Sequence, residues 1–489
     1  MKALFGMLVG LLFVLTCDAA TINVPADYST IQAAIDAAVS GDVVVISPGT
    51  YTGAGNQDLD FKGKAITVRS TDPNNPIVVA SVIINCPGTV GSPHRGFYFH
   101  SGESTSSVID GLTITNGYVR DYGGAVYCYS GSPLIRNCLI KNCKAGSYPN
   151  TNAYGGAIFS IAGTVIEKCT IINNTAQGGD GDFIINPVAG NGYGGAIYAS
   201  STTTIRDCNL SDNSAIAGLT PGSSPGVAYG GAIYGIFNLS NSIVSGNTSD
   251  AREPYPAYAG GLYTQGTSSI VNCLIKNNAC ISPDTKGNAI WNTGTLSISN
   301  CTVYGNFNPS EDPFVTISGS GTGAIINSII WGNSPGPDVS NMTVSYSCTE
   351  DNISGVGNIH SNPLFTTGPL GDFYLSQLAA GQAVDSPCVN AGSDTAANLG
   401  MALWFTSRTD EIADEGIVDL GFHYFVENIA DLNGNGIVNE VDYAILASQW
   451  QQSPATPPAD IAPPERDGMV NIQDLSVLCA NWLWNNQSR

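Results

Sequence analysis

The chain has 489 residues, with 17 lysines and arginines against 39 aspartates and glutamates and a formal net charge of −22 at pH 7. A chain this acidic is a poor partner for nucleic acid or for an anionic membrane surface, but it is compatible with calcium and with neutral glycans. Charged residues make up only 11% of the chain and 57 residues are glycine, so few side chains are available for the solvent faces of long helices.

Residues 1–20 are typical of a signal peptide. Lys2 supplies a positive charge, residues 4–15 form a short apolar core, and small residues follow at 18–20. The apolar core is too short for a membrane span, and no later stretch is long and apolar enough for one. A lipid anchor at Cys17 is the alternative. We therefore expect a secreted, extracellular protein without an integral membrane span, attached to a cell surface only through another molecule.

A short helix is predicted at the start of the mature chain. Ser29 and Gln32 have the spacing of a capping box, and Gly41 is a typical terminator, which together predict a helix over residues 30–39. A β-branched strand begins soon afterwards at Val43. A helix in this place closes the open end of a sheet and protects its edge.

Residues 122–333 are dominated by two motifs that recur together every 27 to 39 residues. The first reads Tyr-Gly-Gly-Ala-Ile-Tyr; the second follows closely, reads Ile-x-Asn-Cys-x-Ile and ends in Asn. Short β-branched segments separated by Gly and Asn predict strands and turns. A unit of this size buries its apolar side chains only by stacking on its neighbours, with each strand pairing to its equivalent one repeat away. The repeats therefore predict a solenoid.

Two columns of equivalent residues follow from the solenoid. The anchor of the second motif is always small, and serine replaces cysteine twice, so we predict a buried column of unpaired side chains. This column consists of Cys138, Cys169, Cys208, Ser242, Cys273, Cys301 and Ser328. Five residues further on, we expect an asparagine column at bends in the left-handed conformation, with amides hydrogen-bonded along the stack. It consists of Asn174, Asn213, Asn247, Asn278, Asn306 and Asn333.

The last position of the first motif is aromatic and alternates with a buried apolar residue, so we predict that it faces outward. The residues are Tyr127, Phe159, Tyr198, Tyr234, Tyr263 and Trp291. At the strand separation of about 4.8 Å they form a ladder. This ladder is the candidate ligand-binding platform, on which sugar rings would stack. The alternative is that the rings stack on one another and only stabilise the fold.

The repeat length varies at one phase, just before each Tyr-Gly-Gly, where insertions occupy residues 144–153, 175–192, 214–228 and 248–257. Insertions at one phase leave a solenoid on one side, and we expect them to wall a groove beside the ladder. Asp180, Asp182, Asp250, Arg252, Tyr255 and Tyr258 would face that groove. Asp180, Asp182, Arg252 and Glu253 are the weak candidates for catalysis, with surface turns and ion pairs as the alternative. No nucleophile motif stands out, and the four histidines do not cluster.

Three segments near the N-terminus resemble the opening of secreted right-handed parallel β-helix proteins of the pectin-lyase-like class: Val24-Pro-Ala-Asp-Tyr28, Ile31-Gln-Ala-Ala-Ile35 and Pro48-Gly-Thr-Tyr51. The Gly-Gly-Ala-Ile units resemble the repeats of polymorphic outer-membrane proteins. Residues 362–365, 371–374 and 386–392 resemble the closing turns of such proteins. The resemblance covers residues 21–424 and implies an all-β, right-handed parallel β-helix with an N-terminal capping helix.

Residues 425–489 follow a different pattern, that of a small α-helical module. Its first part has the ligand spacing of a calcium loop, with Asp431, Asn433, Asn435, Ile437, Asn439 and Asp442 as ligands. A second copy begins 32 residues later, with Glu465, Asp467, Asn471 and Asp474 as ligands. Pro463 stands where its first ligand is expected, and Asp460 would have to reach in across an insertion. The module resembles a type I dockerin, which implies bound calcium and a cohesin-like protein partner.

Two functions remain open from the sequence. The first is an exported β-helix protein that binds extracellular polysaccharide and is attached to a partner through the calcium-dependent module. If this protein is also an enzyme, it is a polysaccharide lyase or a glycoside hydrolase. The second is a non-catalytic cell-surface adhesin or structural spacer.

Overall fold

The computed structural model describes residues 19–181, 188–220, 225–252, 255–282, 285–309, 314–333, 336–402, 404–426, 430–433, 437–452, 459–461 and 469–482. Almost all of the predicted signal peptide, and the predicted site residues Asp182, Glu253, Asn435, Glu465 and Asp467, lie outside these ranges. Among the described residues, no helix is both long and apolar enough to cross a membrane.

A capping helix follows the first described strand, Thr21–Val24. Helix α1 spans Ile31–Ala37 and buries Ile31, Ala34 and Ile35. The predicted capping box at Ser29 is wrong: Thr30 is the N-cap and accepts from the backbone N–H of Ala33. The side chain of Gln32 is engaged elsewhere, because it accepts from the backbone N–H of Asp60 and donates to its carbonyl. A second short helix, α2, spans Pro76–Ser81.

Two large parallel sheets, I and II, run along the solenoid, and two smaller parallel sheets, III and IV, occur in some of its coils. Sheet I has two strands in most coils and comprises Thr21–Val24, Val43–Ile46, Leu59–Asp60, Thr67–Ser70, Phe97–Phe99, Val108–Asp110, Val126–Cys128, Leu134–Arg136, Ile158–Ser160, Val165–Glu167, Ile197–Arg206, Ile233–Ser240, Leu262–Thr264, Thr267–Val271, Ile290–Asn292, Thr295–Ser299, Ile317–Gly319, Thr322–Ile326 and Thr343–Ser345. Sheet II comprises Gly49–Thr52, Val82–Asn85, Thr113–Thr115, Leu139–Lys141, Thr170–Ile172, Asn209–Ser211, Ile243–Ser245, Leu274–Lys276, Thr302–Tyr304, Ile329–Trp331 and Cys348–Thr349.

The two smaller sheets are formed by the coils that carry the insertions. Sheet III comprises Tyr118–Val119, Lys144–Gly146, Thr175–Gln177, Ser214–Ile216, Thr248–Asp250 and Ala279–Ile281. Sheet IV comprises Ala153–Tyr154, Gly192–Tyr193, Ala228–Tyr229, Ala257–Tyr258 and Thr285–Lys286. Every pairing in sheets I to IV is parallel and joins equivalent residues of neighbouring coils, as Ile135 pairs with Ile166 and Ile166 with Ile205. The predicted right-handed parallel β-helix is therefore confirmed.

The turns on either side of sheet II share one construction. A left-handed residue, most often asparagine, is followed by a small or amide side chain that points into the core, as in Asn137-Cys138 with φ +52° and Asn173-Asn174 with φ +57° at the first residue. The prediction that the asparagine column itself has the left-handed conformation is therefore wrong, because the residue before each of these positions has it, as Asn173 does before Asn174. Its hydrogen bonding is as predicted: the Asn174 amide donates to Oδ1 of Asn213 at 3.0 Å, and Asn213 donates to Asn247 at 3.0 Å.

The cysteine column packs in the core without crosslinks. Cys138, Cys169, Cys208, Cys273 and Cys301 are all buried and free, as predicted. The two serine replacements fit the same slot, since Cys208 N donates to the hydroxyl of Ser242 and Cys301 N to that of Ser328. Burial raises the pKa of the Cys169 thiol, which keeps this inner column in the uncharged form.

Sheets III and IV pack against each other and form a thin two-layered wall, here called the fin. Their facing residues are small, in one cluster Ala215, Ala217, Ala228, Ala251, Ala257 and Cys280. A Cβ on Gly192 would lie 2.5 Å from the carbonyl oxygens of Ala176 and Ile216, so the layers approach closely enough to require glycine there. The insertions therefore extend outward as stacked layers, as their common phase predicted.

The segment after the last coil folds back over the solenoid. It contains the antiparallel pairs Phe365–Gly368 with Gly371–Leu375 and Phe405–Thr406 with Tyr424–Phe425, and the 3₁₀-helix Leu378–Ala380. Helices α3 (Glu440–Ser448) and α4 (Ile472–Ala480) follow.

Candidate functional site

The predicted aromatic residues lie on the outer face of sheet I. Tyr127 pairs with Phe159 in register and is half-buried between the inward-facing Val126 and Cys128. From Tyr98, which extends the predicted set by one ring, to Tyr263, successive ring centroids are 4.8–5.4 Å apart with interplanar angles of 7–25°. We call this column the first ladder. Trp291 continues the register beside Tyr263.

A second ladder, which the sequence did not predict as a ladder, runs beside the first. It is formed by the opening tyrosine of five repeats, namely Tyr122, Tyr154, Tyr193, Tyr229 and Tyr258, with centroids 4.9–5.1 Å apart and interplanar angles of 1–14°. The repeat motif contained the signal, because both of its ends are aromatic, but only its last position was predicted to form a ladder, and of the opening tyrosines only Tyr258 was expected to face the groove.

The two ladders meet edge to face. Tyr154 lies 5.0 Å from Tyr198 at 81°, and Tyr193 lies 4.9 Å from Tyr234 at 66°. Because outward side chains of sheets I and IV contact each other, the outer faces of these two sheets enclose a re-entrant angle, here called the aromatic corner. Its vertex is the Gly-Gly pair: Gly155 has φ +64°, and a Cβ on Gly156 would stand 2.1 Å from the carbonyl oxygen of Gly195.

The rings of the corner offer edges, not faces, to a ligand. Neighbouring rings at nearly the strand separation cover each other's faces, so sugar stacking onto a free face is restricted to the ladder ends. The phenolic groups form a polar rim. Tyr154 accepts from the Asn152 amide at 2.9 Å, Tyr193 from Asn191 at 2.7 Å, and Tyr234 from Gln265 at 2.8 Å.

Tyr127, Tyr193 and Tyr234 keep their phenolic protons at neutral pH. Burial, with the neighbouring Tyr98, raises the pKa of Tyr127 to about 12. Burial also raises the pKa of Tyr193 and Tyr234. The rim is therefore an array of uncharged donors and acceptors, which is the chemistry that sugar hydroxyl groups match.

The insertions bring Asp180 and Arg252 together. Their side chains form an ion pair of 3.2 Å, and Asp180 also accepts from the backbone N–H of Leu219. Burial, followed by the charge of Arg252, lowers the pKa of Lys144, which alternates with the inward-facing Ala145 and so lies on the outer face of sheet III. Tyr258 lies on the outer face of sheet IV. The expectation that Asp180, Arg252 and Tyr258 share one space is therefore wrong: they occupy opposite sides of the fin.

A charged cleft of about 430 Å³ opens on the outer face of sheet I, beside the turn into sheet II. It is lined in part by a column of alternating charge, Asp110, Arg136, Glu167 and Arg206, in which each residue pairs in register with the next. Arg136 contacts Asp110 at 2.8 Å, and Arg206 Nε donates to Glu167 at 2.8 Å. In the sequence, Arg136, Glu167 and Arg206 occupy the variable position of the Ile-x-Asn-Cys motif.

Two further residues of the charged cleft hold an unusual backbone conformation. Lys168 and Asp207 have φ +51° and +55° at the left-handed turn position that Asn137, Asn241 and Asn272 occupy in other coils. Asparagine tolerates this conformation far better than lysine, so the chain accepts local strain at this place. Desolvation raises the pKa of Asp207, against a smaller lowering by Asn241 and Lys168.

In the described part of the first predicted calcium loop, the carboxylate of Asp442 accepts from the backbone of the loop. Asp442 is buried, and its carboxylate accepts from the backbone N–H groups of Asn439 at 2.9 Å and Asn433 at 3.2 Å. Asn439 caps helix α3 in a capping box. Among the described residues, no group of three or more His, Cys, Asp or Glu side chains is arranged to hold a metal.

The second loop repeats this arrangement with a longer connection. Asp474 is buried and accepts from the backbone N–H groups of Asn471 at 2.8 Å and Ile461 at 2.6 Å. The core of the module contains Ala430 and Leu432 on one side and Ala459 and Ile461 on the other. By this correspondence Asp460, itself buried, is equivalent to Asp431. Buried carboxylates are stabilised by a cation, so both loops retain groups that fit calcium.

No family model matches the chain, and no curated protein matches it. The chain is similar in structure to pectate lyase Pel9A, with a TM-score of 0.42 and 13% identity over 83% of this chain and 96% of that one. It is also similar to the receptor-binding protein of bacteriophage Det7, a podoviral tailspike in a myovirus, with a TM-score of 0.19 and 13% identity over 72% of this chain and 78% of that one. At these TM-scores neither similarity carries an argument about function.

Proposed function

We propose that this chain is an exported, extracellular β-helix protein that binds a polysaccharide along the outer face of sheet I. The observation that carries the proposal is that the aromatic corner and the charged cleft open on the same face. Tyr198 of the first ladder and Arg206 of the charged cleft are eight positions apart on the single strand Ile197–Arg206. At about 3.3 Å per residue they are separated by up to about 26 Å, which suits a polymer better than a small metabolite.

Each part of this face has a recognition chemistry of its own. The rim of tyrosine hydroxyls and amides matches sugar hydroxyls, and it repeats once per coil, so affinity grows with oligosaccharide length. In the charged cleft, Lys168 and Arg206 offer donors to the carboxylate of an acidic sugar, in a chain with only 17 lysines and arginines. The glycan class that uses both parts is an acidic polysaccharide.

The C-terminal module, residues 425–489, attaches the protein to a partner. Calcium bound by Asp431, Asn433, Asp442 and their counterparts in the second loop holds its two helices in place. Between the helices an apolar recess of about 480 Å³ is lined by Tyr443, Leu475, Leu478, Cys479 and Trp482. Tyr443 and Trp482 are 48% and 43% exposed, which leaves an apolar surface for a cohesin-like protein.

The alternative function, a non-catalytic adhesin or spacer, is favoured by one observation. The ladder rings cover one another's faces and so stabilise the solenoid without any ligand. If the chain also cleaves the glycan, the reaction classes stay those expected from the sequence, a polysaccharide lyase or a glycoside hydrolase.

Retention on a panel of immobilised neutral and acidic polysaccharides tests the proposal. We expect the wild-type protein to be retained, the double variant Y198A/Y234A to be retained less on all glycans, and K168A/R206A to be retained less on acidic ones only. Y28A, which removes an exposed tyrosine outside both ladders, is the control. Unsaturated or reducing ends released into the supernatant report cleavage. Retention unchanged in both double variants would support the spacer instead.

A further inference from the structure

A serine, a histidine and an aspartate meet in the loop between strands Val82–Asn85 and Phe97–Phe99. The hydroxyl of Ser92 lies 3.0 Å from Nε2 of His94, and Nδ1 of His94 lies 2.6 Å from Oδ2 of Asp58. A carboxylate only accepts, so Nδ1 carries the proton it donates to Asp58, and Nε2 is left to accept from the Ser92 hydroxyl. This is the order of a nucleophile, a general base and a group that orients the base.

The surrounding backbone fixes this arrangement. The other carboxylate oxygen of Asp58 accepts from the backbone N–H of Arg95 at 2.9 Å. His94 exchanges two backbone hydrogen bonds with Tyr118, both of 2.9 Å. Asp58 itself has φ +54°, a strained conformation that aims its side chain at the loop. Asp58, His94 and Tyr118 are far apart in sequence, and together their contacts hold the imidazole of His94 between the Ser92 hydroxyl and the Asp58 carboxylate.

Ser92 is open to solvent, and a cation is hydrogen-bonded to the turn that carries it. Ser92 is exposed, whereas the His94 side chain is 30% exposed. The guanidinium of Arg120 donates from Nε and Nη2 to the carbonyl of Val90, at 3.1 and 3.0 Å, in the turn that carries Ser92. It is held against the ring of Tyr148 at 4.7 Å. These contacts hold a positive charge at the turn that carries Ser92, and a fixed positive charge is the kind of group that stabilises a developing anion.

We propose that Ser92, His94 and Asp58 hydrolyse acyl esters. Ser92 Oγ attacks the ester carbonyl as its proton passes to His94 Nε2. The carbon–oxygen bond to the alcohol then breaks, and the alcohol leaves with that proton. Water attacks the acyl-serine, again giving a proton to His94, and the acid is released as the proton returns to Ser92. Water is the only co-reactant.

The natural substrate class is an acyl ester carried by a glycan. Arg95, which follows His94, stacks its guanidinium on Tyr98 and Tyr127 at 5.4 and 4.8 Å. The triad therefore lies at one end of the aromatic corner, where a bound polysaccharide would bring its ester groups. The reaction class stands on the triad alone; only the choice of a glycan ester rests on the proposed function.

Hydrolysis of p-nitrophenyl acetate by the full-length protein tests the reaction. We expect S92A to abolish turnover and H94N to lower kcat/KM about 100-fold or more. D58N, which keeps the left-handed conformation available, should lower it at least about 10-fold. H100N, at a second surface histidine facing Asp60 at 3.4 Å, and S106A are matched controls that should keep wild-type rates. Equal thermal midpoints show that the variants fold.

Two outcomes would overturn the triad. If S92A keeps the wild-type rate while H94N loses it, the imidazole acts alone on the activated ester. If a fluorophosphonate labels no peptide containing Ser92, or labels S92A equally, Ser92 is not a nucleophile. Release of acetate from an acetylated polysaccharide is a separate measurement. Turnover of the small ester without that release would reject the glycan substrate while leaving the triad standing.

Discussion

The carboxylate of Asp180 lies 3.2 Å from the guanidinium of Arg252, although 72 residues separate them in the chain. The ion pair joins the second and fourth insertions across the third, whose Leu219 N–H also donates to Asp180. It lies on the sheet III side of the fin, away from the aromatic corner. The fin thus has two chemically different sides, an aromatic one and a charged one.

We predict that D180A leaves glycan retention unchanged. The Asp180 side chain is 60% exposed, so its pair with Arg252 contributes only about 0–1 kcal/mol to the free energy of unfolding. Chemical denaturation and retention on the polysaccharide panel measure the two effects. A loss of retention with unchanged stability would instead place the ligand on the charged side of the fin.

We predict that the triple variant Y154F/Y193F/Y234F loses glycan retention while the fold stays intact. It removes the hydroxyls that bond Asn152, Asn191 and Gln265 but keeps every ring of the stack. Phe159 already occupies one rung of the first ladder, so the ladder accommodates phenylalanine. Retention and the thermal midpoint are compared with those of Y28F. Retention equal to wild type would show that the rim does not contact the glycan.

We predict that His423 stabilises the fold most strongly at acidic to neutral pH. Its ring nitrogens face two acceptors, the carbonyl of Gly421 and Oδ2 of Asp414, each at 3.0 Å. Burial alone would lower the pKa of His423, but the hydrogen bond to Asp414 and the charges of Asp414 and Asp419 outweigh it and raise the pKa. When the folded-state pKa is raised, the group's contribution to the free energy of unfolding is fully present below the unfolded-state pKa of about 6.5. This contribution is lost as the pH rises through the folded-state pKa.

The difference in thermal midpoint between wild type and H423Q measures this contribution across pH. We expect the difference to be largest near pH 5–6 and to shrink at alkaline pH, in proportion to the charge lost. Because both proteins retain Asp414 and Asp419, the comparison isolates the imidazole. A difference that grows with pH would mean that the ring is neutral in the folded state.

We predict two calcium ions per chain, one in each loop of the module. D442A should remove the first, and D460A or D474A the second, because these buried carboxylates supply oxygen ligands that a hard cation requires. Isothermal titration of the full-length protein gives the stoichiometry, and D394A, at an exposed aspartate elsewhere, is the control. Full occupancy in D460A would show that Asp460 is not the counterpart of Asp431.

The parts of the fold that repeat were accessible from the sequence. Equivalent residues one coil apart must stack, which gave the parallel sheets, the free buried Cys169 and the bonded amides of Asn174. Contacts between non-equivalent positions of the repeat could not be predicted from the sequence. Nothing in the sequence placed Tyr258 and Arg252 on opposite sides of the fin, because their separation depends on how two sheets of alanine and glycine pack.

The candidate sites divide in the same way. The first ladder was predicted because its members share one position of a motif. The charged column from Asp110 to Arg206 was missed because Arg136, Glu167 and Arg206 occupy the variable position of the Ile-x-Asn-Cys motif, where the residue type changes from repeat to repeat. Ser92 and His94 are near neighbours in sequence. Asp58 lies one coil earlier, and its own left-handed backbone conformation directs its side chain toward His94. Such a long-range contact has no local signature.

The segment that folds back over the solenoid has a mechanical consequence. His423 exchanges hydrogen bonds with Asn272, Phe422 N–H donates to Thr302, and Ser393 N–H donates to Asn327, so three successive coils are held by it. A pull transmitted from the C-terminal module enters the β-helix through this segment. Several coils then share the load, which acts on their hydrogen bonds in shear. If the chain left directly from the last coil, the same load would separate the coils one after another.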